Sequence, residues 1–188
     1  VPGEAQFEHR GVSSCADCDA PLYQGEVAVV VGGGDSALQE ALVLTRFCAA
    51  VHLVHRRDAF RARQSFVDAI RAAGNLIQHP NTVLESITGT EGVEAVQLRS
   101  LADGTLHTLA CNAVFAYVGL VPNTGALPAQ LARDEGDHLL VDAHHACSQP
   151  GLFAAGAVRA GFGGSLVDAM ADGRAAAASA LRYLGRTH

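Results

Sequence analysis

A run of apolar residues that ends in a glycine triplet constrains the fold of this chain more than any other feature. Residues 26–31 contain four valines and an alanine, a composition that predicts a strand covered on both faces at the centre of a parallel sheet. The glycines at 32–34 end this strand, and apolar residues at helical spacing after Asp35 predict a helix. Residues 50–55 then read as a second strand. Strand, glycine turn, helix and strand follow within roughly 30 residues, which predicts a βαβ unit with parallel strands, as in dinucleotide-binding folds.

The glycine turn carries small residues at the positions where a dinucleotide-binding loop requires them. Gly32, Gly34 and Ala37 are spaced as in the fingerprint, in which a tight turn, close approach of the backbone to a pyrophosphate and close helix packing each exclude large side chains. The N-terminus of the following helix would direct free N–H groups and its dipole towards the pyrophosphate. A glycine triplet also occurs in ordinary turns, but here the flanking strand and helix favour nucleotide binding.

Arginines stand at the end of the second predicted strand, about 20 residues after the glycine turn, where an NAD-binding protein places an acidic residue on the ribose 2′-hydroxyl. The chain has Arg56 and Arg57 there, with Arg61 and Arg63 shortly after. Guanidinium groups suit the 2′-phosphate of NADPH because they form charge-assisted, bidentate hydrogen bonds. A solvated basic loop balanced by Asp58 is the alternative, and the position after a βαβ unit favours NADPH.

Cys15 and Cys18 form a Cys-x-x-Cys pair shortly before the first predicted strand. Two intervening residues allow the thiols to close into a disulfide, and the carboxylate of Asp19 can move protons beside them. The pair could also be half of a zinc site, but a structural zinc site needs a second pair of Cys or His ligands, which the scattered histidines do not supply. A purely structural role is the third alternative. We predict a redox dithiol and no metal site.

The other histidines and cysteines are assigned no catalytic role. His55 ends the second predicted strand, where it could touch the cofactor or pack in the core. The histidines at 79, 144 and 145 are predicted to lie in surface loops. Three further cysteines are expected to behave as small buried hydrophobic residues; they are Cys48, Cys111 and Cys147.

Composition and charge argue against several classes of function. The formal net charge is −6, with 17% charged residues, and no basic cluster of the kind that nucleic acid or an anionic membrane surface requires is evident. No apolar run approaches the ~18 residues of a membrane helix, and we expect no secretory signal. Five cysteines with one close pair do not suggest a secreted disulfide framework. We predict a cytoplasmic protein without nucleic-acid or membrane partners.

The segment after the βαβ unit predicts a helix and a β-meander. The helix is expected around 64–73. Alternating apolar residues predict strands at 82–88, 93–100, 106–110 and 113–117. An Asp-Gly pair at 103–104 supplies the turn of one hairpin.

A second, smaller domain is expected after a break at residues 121–125, where Pro and Gly interrupt the strand pattern. Short strands are predicted near 139–141 and 152–155. A helix follows in which apolar and small residues share one face; they are Leu166, Met170, Gly173, Ala177, Leu181 and Leu184.

Five motifs in this order resemble those of the low-molecular-weight thioredoxin reductases. The resembling segments are Cys15 to Asp19, Gly32 to Ala37, His55 to Arg61, Gly119 to Thr124 and Phe153 to Ala157. The resemblance covers nearly the whole chain, and five ordered motifs are far more specific than any one of them. It implies an α/β fold: a Rossmann-like three-layer NADPH-binding domain with a β-meander, plus the C-terminal part of an FAD-binding domain.

The resemblance also implies a function. Members of this family are homodimeric flavoproteins in which NADPH reduces FAD, FAD reduces the Cys-x-x-Cys disulfide, and the dithiol reduces a partner disulfide. The implied acceptor is a thioredoxin-like protein or a small-molecule disulfide. The implied domains are a junction at 1–10, an NADPH-binding domain with the Cys-x-x-Cys pair at 11–125, and a remnant of the FAD-binding domain at 126–188.

Roles for individual residues follow from the resemblance by position. Cys15 and Cys18 would be the redox pair, with Asp19 as the proton donor. The residues that would hold NADPH are Gly32, Gly33, Gly34, Asp35, Ser36, Ala37, His55, Arg56, Arg57 and Arg61. Gly156 and Ala157 would contact the flavin.

Three departures from the family pattern concern the flavin. The family's N-terminal FAD segment does not precede Val1, so we expect a fragment of a longer reductase or a truncated relative. The family's flavin-contacting Asp is Ala157 here, and its Arg-Gln-Ala corresponds to Gly164, Ser165 and Leu166. We therefore expect weak or no FAD binding and little turnover by the chain alone.

Two other functions remain open at this point. The first is a non-catalytic NADPH-binding module that uses Cys15 and Cys18 as a redox switch, which the changed flavin contacts favour. The second is a flavin-dependent dithiol oxidase that passes electrons to oxygen, for which Ala157 and the altered loop at 161–164 leave room.

Overall fold

A computed structural model describes residues 1–185. The chain forms two compact units that divide between Val118 and Gly119. The first unit contains a parallel sheet, an antiparallel sheet and short helices, and the second contains loops, a 3₁₀ turn and a longer helix. Residues 121–125, predicted as the joint between domains, lie shortly after this division.

Five parallel strands form the main sheet. They are β1 (Val12–Ser13), β2 (Val27–Gly32), β3 (Ala50–Val54), β4 (Leu76–His79) and β8 (Ala113–Tyr117). Their order across the sheet is β1, β8, β2, β3, β4. Three helices and a 3₁₀ turn accompany them: α1 (Ala16–Asp19), the turn (Ala20–Tyr23), α2 (Asp35–Leu44) and α3 (Gln64–Ala72). The predicted βαβ unit is confirmed, because β2 leads through α2 to β3 and the two strands pair in parallel.

The parallel sheet is covered on both faces, as its continuously apolar strands require. On one face, Leu38 and Leu44 of α2 belong to the same buried cluster as Phe115 of β8. An antiparallel sheet lies on the other face and consists of β5 (Thr82–Thr88), β6 (Ala95–Ser100) and β7 (Leu106–Ala110). There Val29 of β2 packs in one cluster with Val96 of β6. Helices, parallel sheet and antiparallel sheet confirm the Rossmann-like three-layer fold.

The sequence pattern predicts that residues 113–117 form a strand of the meander, but these residues form β8, which does not belong to the meander. It returns to the parallel sheet and pairs with both β1 and β2. Its first three residues, Ala113, Val114 and Phe115, are fully buried, so this strand needs a covering layer on each face. Strand β7 is largely exposed and forms the edge of the antiparallel sheet. The prediction of a fourth meander strand was therefore wrong, and the meander has three strands.

The second unit has a small apolar core built on Leu131, Leu139 and Ala154. The strands predicted near 139–141 and 152–155 are not formed, since these segments make isolated bridges. Such short segments lack the continuous neighbouring strand that a stable sheet requires. A 3₁₀ turn (Gly156–Val158) and helix α4 (Leu166–Tyr183) follow.

Helix α4 exposes the apolar face that the sequence pattern identified. Leu166 is 77% exposed and Met170 is 52% exposed, whereas the buried residues of the helix are Asp172, Ala176 and Ser179. Helix α4 has 18 residues. Neither α4 nor any other helix within residues 1–185 combines the length and the apolar character needed to cross a membrane.

Candidate functional site

The carboxyl edge of the parallel sheet brings the predicted chemistry together. Because all five strands run in one direction, the residues that follow them emerge at the same edge. Cys15 follows β1, the glycine triplet ends β2, and His55 follows β3. The strand order places the dithiol and the arginine loop on opposite sides of the glycine turn, with β8 between β1 and β2. Neighbouring strands lie about 4.8 Å apart, so the dithiol turn starts two strand spacings from the glycine turn.

The three glycines of the turn differ in the space around them. Gly32 has φ +151°, and a Cβ there would lie 2.5 Å from the Tyr117 carbonyl oxygen and 2.7 Å from Cβ of Ala37. A Cβ on Gly33 would lie 2.2 Å from the His55 ring. Gly34 has no heavy atom within 4 Å of an added Cβ. The first two glycines allow close packing of the protein, and the third leaves open space in front of the helix.

Helix α2 begins without a side-chain cap. Its N-cap residue is Gly34, and no side chain accepts a hydrogen bond from the first turn. Asp35 instead accepts hydrogen bonds from the backbone N–H of Arg63 at 2.7 Å and from Arg63 Nε at 2.6 Å. The Arg63 backbone hydrogen bond contributes most to lowering the pKa of Asp35. Ser36 is exposed and Ala37 is buried. The uncapped N–H groups fit a phosphate, which helix N-termini bind readily.

Three arginine side chains beside the turn have no partner in the described part of the chain. Arg56 and Arg61 are exposed and Arg57 is half-buried. No ion pair among residues 1–185 involves these three arginines, and Asp58 forms none with them. The backbone N–H of Arg61 donates to the Gly33 carbonyl at 2.8 Å and holds the loop against the glycine turn. A loop that keeps three guanidinium groups available fits an additional phosphate.

The His55 side chain packs against the glycine turn. It is buried, its Nε2 lies 3.0 Å from the carbonyl oxygen of Ala59, and its ring stacks on Phe60 with centroids 5.2 Å apart. The ring also fills the space next to Gly33. His55 therefore shapes the turn from the protein side.

Cys15 and Cys18 are joined by a disulfide, with their Cα atoms 5.3 Å apart. Cys15 is the N-cap residue of α1, and its sulfur accepts the backbone N–H of Cys18 at 3.2 Å. Cys15 is half-buried and Cys18 is exposed, so the bond is accessible to solvent. The backbone N–H of Asp19 donates to the Cys15 carbonyl at 3.1 Å, and Asp19 is half-buried beside the pair. The turn can accept two electrons by opening the disulfide.

Two residues that sequence reasoning missed attach the dithiol turn to helix α2. The backbone N–H of Ala16 donates to Glu40 Oε2 at 2.8 Å and lies 3.3 Å from the Tyr117 hydroxyl. The Tyr117 hydroxyl donates to the same Glu40 oxygen at 3.2 Å. Burial first, and then the Glu40 carboxylate, raise the pKa of Tyr117, which keeps the phenol protonated. No local signal predicts this contact, because Tyr117 is 101 positions from Ala16.

Two of the three other cysteines lie away from solvent, and their reactivity is suppressed. Cys48 and Cys111 are buried free thiols, and Cys147 is half-buried. Burial raises the pKa of Cys48 to about 11 and that of Cys111 to about 12. Such thiols are not nucleophilic near neutral pH. Within residues 1–185, no group of three or more His, Cys, Asp or Glu side chains is arranged to hold a metal ion.

The two predicted flavin positions lie in the second unit and do not by themselves fit a flavin. The N–H of Gly156 is already bonded to Asp172 Oδ2 at 3.0 Å, and Asp172 in turn accepts Arg159 Nη2 at 2.6 Å. The Arg159 hydrogen bond lowers the pKa of Asp172 to about 2. Ala157 is exposed and offers a methyl group, which can neither donate nor accept a hydrogen bond.

Comparison with known proteins connects this geometry to a family. The family described as pyridine nucleotide-disulphide oxidoreductase matches residues 1–179. Thioredoxin reductase of Treponema pallidum is 39% identical over 184 residues, which cover 98% of this chain and 60% of that protein. NADPH-dependent thioredoxin reductase 3 of Arabidopsis thaliana is 38% identical over 189 residues, 98% of this chain and 36% of that protein.

A solved structure agrees with these sequence matches. The crystal structure of Lactococcus lactis thioredoxin reductase matches with a TM-score of 0.92 at 32% identity, and the match covers 100% of this chain and 62% of that one. The chain therefore spans about 60% of the length of the bacterial reductases it resembles.

Proposed function

Because the chain belongs to the pyridine nucleotide-disulphide oxidoreductase family, we propose that it forms the nucleotide-binding and dithiol part of a thioredoxin-reductase-type disulfide oxidoreductase. In this proposal residues 11–125 bind NADPH and carry the redox pair, and residues 126–188 contribute to an FAD-binding domain. The proposed acceptor is a thioredoxin-like protein or a small-molecule disulfide, in a cytoplasmic setting. A homodimer is proposed by analogy with the family resemblance.

One observation carries the proposal. The disulfide turn and the glycine turn emerge from the same edge of one parallel sheet, and hydrogen bonds to Glu40 and Tyr117 attach the first to the helix that begins at the second. A nucleotide site without a dithiol, or a dithiol elsewhere in the fold, would not suggest electron transfer. The name of the Arabidopsis relative, NADPH-dependent thioredoxin reductase 3, supports the choice of NADPH.

Different residues of the chain would bind the nucleotide and carry out the redox step. The uncapped N–H groups behind Gly34 hold the pyrophosphate, and Arg56, Arg57 and Arg61 bind the 2′-phosphate. NADPH supplies a hydride equivalent when bound. The Cys15–Cys18 disulfide accepts two electrons and two protons to become a dithiol, and Asp19 relays a proton to the leaving thiolate. FAD belongs to the proposal as an assisting cofactor, but Gly156 and Ala157 alone do not make a sufficient flavin site.

Calorimetry with the whole chain tests nucleotide binding. We expect NADPH to bind at least tenfold more tightly than NADH, since NADH lacks the phosphate that the arginines recognise. Replacing Arg56 and Arg57 together by Ala should weaken NADPH binding about ten- to a hundredfold, in line with the loss of charged hydrogen bonds worth about 1.5–3 kcal/mol.

A matched control is available in the same unit. Arg71 lies on α3 with Asp68 3.9 Å away, and Arg71→Ala removes the same charge without touching the proposed site. Its NADPH affinity should equal that of the unmodified chain. If NADPH does not bind, or if the paired Arg56 and Arg57 substitution behaves like Arg71→Ala, the proposal fails.

The changed flavin positions favour one second candidate, a non-catalytic NADPH-binding redox switch. Ala157 lacks the carboxylate of the family pattern, and Cys18 is exposed to cellular oxidants and thiols. A switch should bind NADPH with an affinity that depends on whether Cys15 and Cys18 are oxidised, and should never turn over. NADPH-dependent reduction of a disulfide dye in the presence of added flavin would exclude the switch and support the reductase.

A further inference from the structure

The first turn of α1 is held by side chains from outside that helix. Glu40 lies on α2 and is half-buried, and its Oε2 accepts both the Ala16 N–H at 2.8 Å and the Tyr117 hydroxyl at 3.2 Å. Ala16 itself is fully buried. Ala16 follows Cys15 directly, so covalent geometry keeps the Glu40 carboxylate within about 8 Å of the Cys15 sulfur.

Acidic side chains lie on the dithiol turn and against it. Asp17 and Asp19 lie on α1 itself, Glu40 faces the turn from α2, Tyr117 faces it from the end of β8, and Tyr23 follows on the adjoining 3₁₀ turn. Cysteines that are reactive as thiolates usually lie beside positive charge or an unoccupied helix N-terminus. Here the Glu40 carboxylate accepts a hydrogen bond from the backbone N–H of Ala16 in the first turn of α1.

We propose that Glu40 is a positioning residue for the Cys15–Cys18 pair: its hydrogen bond fixes the turn on helix α2, and its negative charge favours the disulfide over the thiolate form. This inference deepens the proposed function, because it assumes that the pair is the redox centre. Its consequence is a dithiol that is a stronger reductant, and that passes electrons onward more readily than a pair beside neutral side chains.

The equilibrium that measures this effect uses glutathione. The Cys15–Cys18 disulfide and two glutathione molecules give the Cys15 and Cys18 thiols and one glutathione disulfide, so two electrons and two protons move and all atoms balance. The charge of Glu40 acts on a thiolate, and so its effect on this equilibrium should grow as the pH rises above the thiol pKa. A like charge within 8 Å across a protein surface corresponds to about a threefold to tenfold change.

The experiment compares Glu40→Gln with the unmodified chain across glutathione redox buffers from about pH 6 to 9.5. Gln is isosteric and can still accept the Ala16 N–H, so the substitution removes charge more than contact. We expect the two equilibrium curves to coincide at low pH. At high pH, Glu40→Gln should favour the dithiol threefold to tenfold, and iodoacetamide should alkylate its reduced form about threefold faster at pH 7.

Two further variants separate charge from structure. Glu40→Asp keeps the charge with a shorter reach and should stay within about twofold of the unmodified chain at high pH. Glu26→Gln removes a carboxylate just before β2, at the opposite edge of the sheet, and should leave the equilibrium unchanged. β2 has six residues, which corresponds to about 20 Å of strand.

Two results would overturn the inference. In the first, Glu40→Gln follows Glu26→Gln at every pH. In the second, Glu40→Gln shifts the equilibrium equally at low and high pH, which would indicate altered folding of the turn without a charge effect. Neither result depends on NADPH. Failure of nucleotide binding in calorimetry would remove the proposed function and leave the Glu40 measurement valid.

Discussion

The two units of this chain are stabilised by different interactions. In the first unit, apolar residues fill both sides of a parallel sheet, and Leu38, Leu53 and Phe115 are fully buried. In the second unit, the apolar core is small, and the buried groups include Thr124 and Asp172, which are polar. The first unit derives its stability from area removed from water, and the second depends on a few polar contacts.

Because of this difference, we expect the two units to respond differently to substitution. The polar contacts of the second unit are specific but few: Asp172 joins the 3₁₀ turn to α4 through Gly156 and Arg159, and Asp137 joins Thr124 to Arg133. Meanwhile the apolar residues of α4 remain exposed. We expect the order of such a unit to depend on individual contacts, whereas a packed core loses stability in proportion to the volume deleted.

Core truncation should give the largest effect and the clearest contrast. Leu38 of α2 is fully buried, and Leu38→Ala should destabilise the first unit by about 3 kcal/mol through lost burial and a cavity. Leu181 of α4 is 45% exposed, and Leu181→Ala should cost less than about 0.5 kcal/mol. Urea unfolding followed by circular dichroism measures both. Equal costs would show that α4 packs more tightly than its exposure indicates.

The contrast also explains how far the sequence predicted the fold. In β2 and β3, burial on both faces requires mostly apolar residues. This apolar pattern can be recognised in the sequence without knowing which strands lie beside it. The elements β1 and α1 have two and four residues, too few for a periodic pattern, and β4 is a four-residue edge strand that pairs with β3. In α4, the apolar stripe is real but exposed, so periodicity alone could not predict which face is buried.

The candidate site was predictable to the same degree. The glycine turn and the Cys-x-x-Cys pair are local motifs, and both were readable from the sequence. The pairing of Arg63 with Asp35 joins positions 28 apart, and it distinguishes this arginine from Arg56, which forms no ion pair within residues 1–185. The contact between Ala16 and Glu40 joins positions 24 apart. Such contacts depend on the assembled sheet and leave no mark in a single sequence.

The polar contacts of the second unit can be broken with one substitution. Arg159→Met keeps most of the side-chain stem but leaves the Asp172 carboxylate without its guanidinium partner. We expect the amide hydrogens of α4 to exchange roughly ten- to a hundredfold faster, as for the loss of one to two charged hydrogen bonds. Amides of β2 should be unaffected. Arg174→Met, on an exposed position of α4, is the control and should leave exchange unchanged.

Acid should affect the two units over different pH ranges. His52 Nδ1 and His79 Nε2 lie 2.8 Å apart on β3 and β4. Burial, and then the neighbouring His79, lower the pKa of His52, while burial and then His107 lower that of His79. The unfolded chain therefore binds protons first, and the stability present above about pH 6.5 is lost as the pH falls below it.

The acid response of the second unit has the same sign but a lower range. Because the Asp172 pKa is lowered to about 2 from 3.8, its contribution is present above pH 3.8 and is lost only as the pH falls towards 2. Protection of amide hydrogens against exchange should decrease between pH 7 and 5 in the first unit before it does in the second. His52→Gln should flatten the first response, and His144→Gln, at an exposed loop, should not.

Substitutions at the N-termini of α2 and α4 should have the smallest effect on stability. They bear most directly on function. Ser165 caps α4 in a reciprocal arrangement with Asp168: its Oγ accepts the Asp168 N–H at 3.1 Å and donates to Asp168 Oδ2 at 2.6 Å. Helix α2 starts at Gly34 without a side-chain cap. Ser165→Ala should cost about 1 kcal/mol. Gly34→Ser should stabilise α2 by a few tenths of a kcal/mol, since the backbone there is extended and an added Cβ meets open space.

The same Gly34→Ser substitution should weaken NADPH binding, because the serine hydroxyl would occupy the N–H groups that we assign to the pyrophosphate. Thermal unfolding and calorimetry on one preparation test both halves together. Greater stability with unchanged NADPH affinity would mean that the start of α2 is not the phosphate site. Lower stability would mean that the turn is constrained in a way that its open space does not reveal. A gain in stability with a loss of affinity is the expected result, since at this position the fold leaves a helix uncapped where the ligand would complete it.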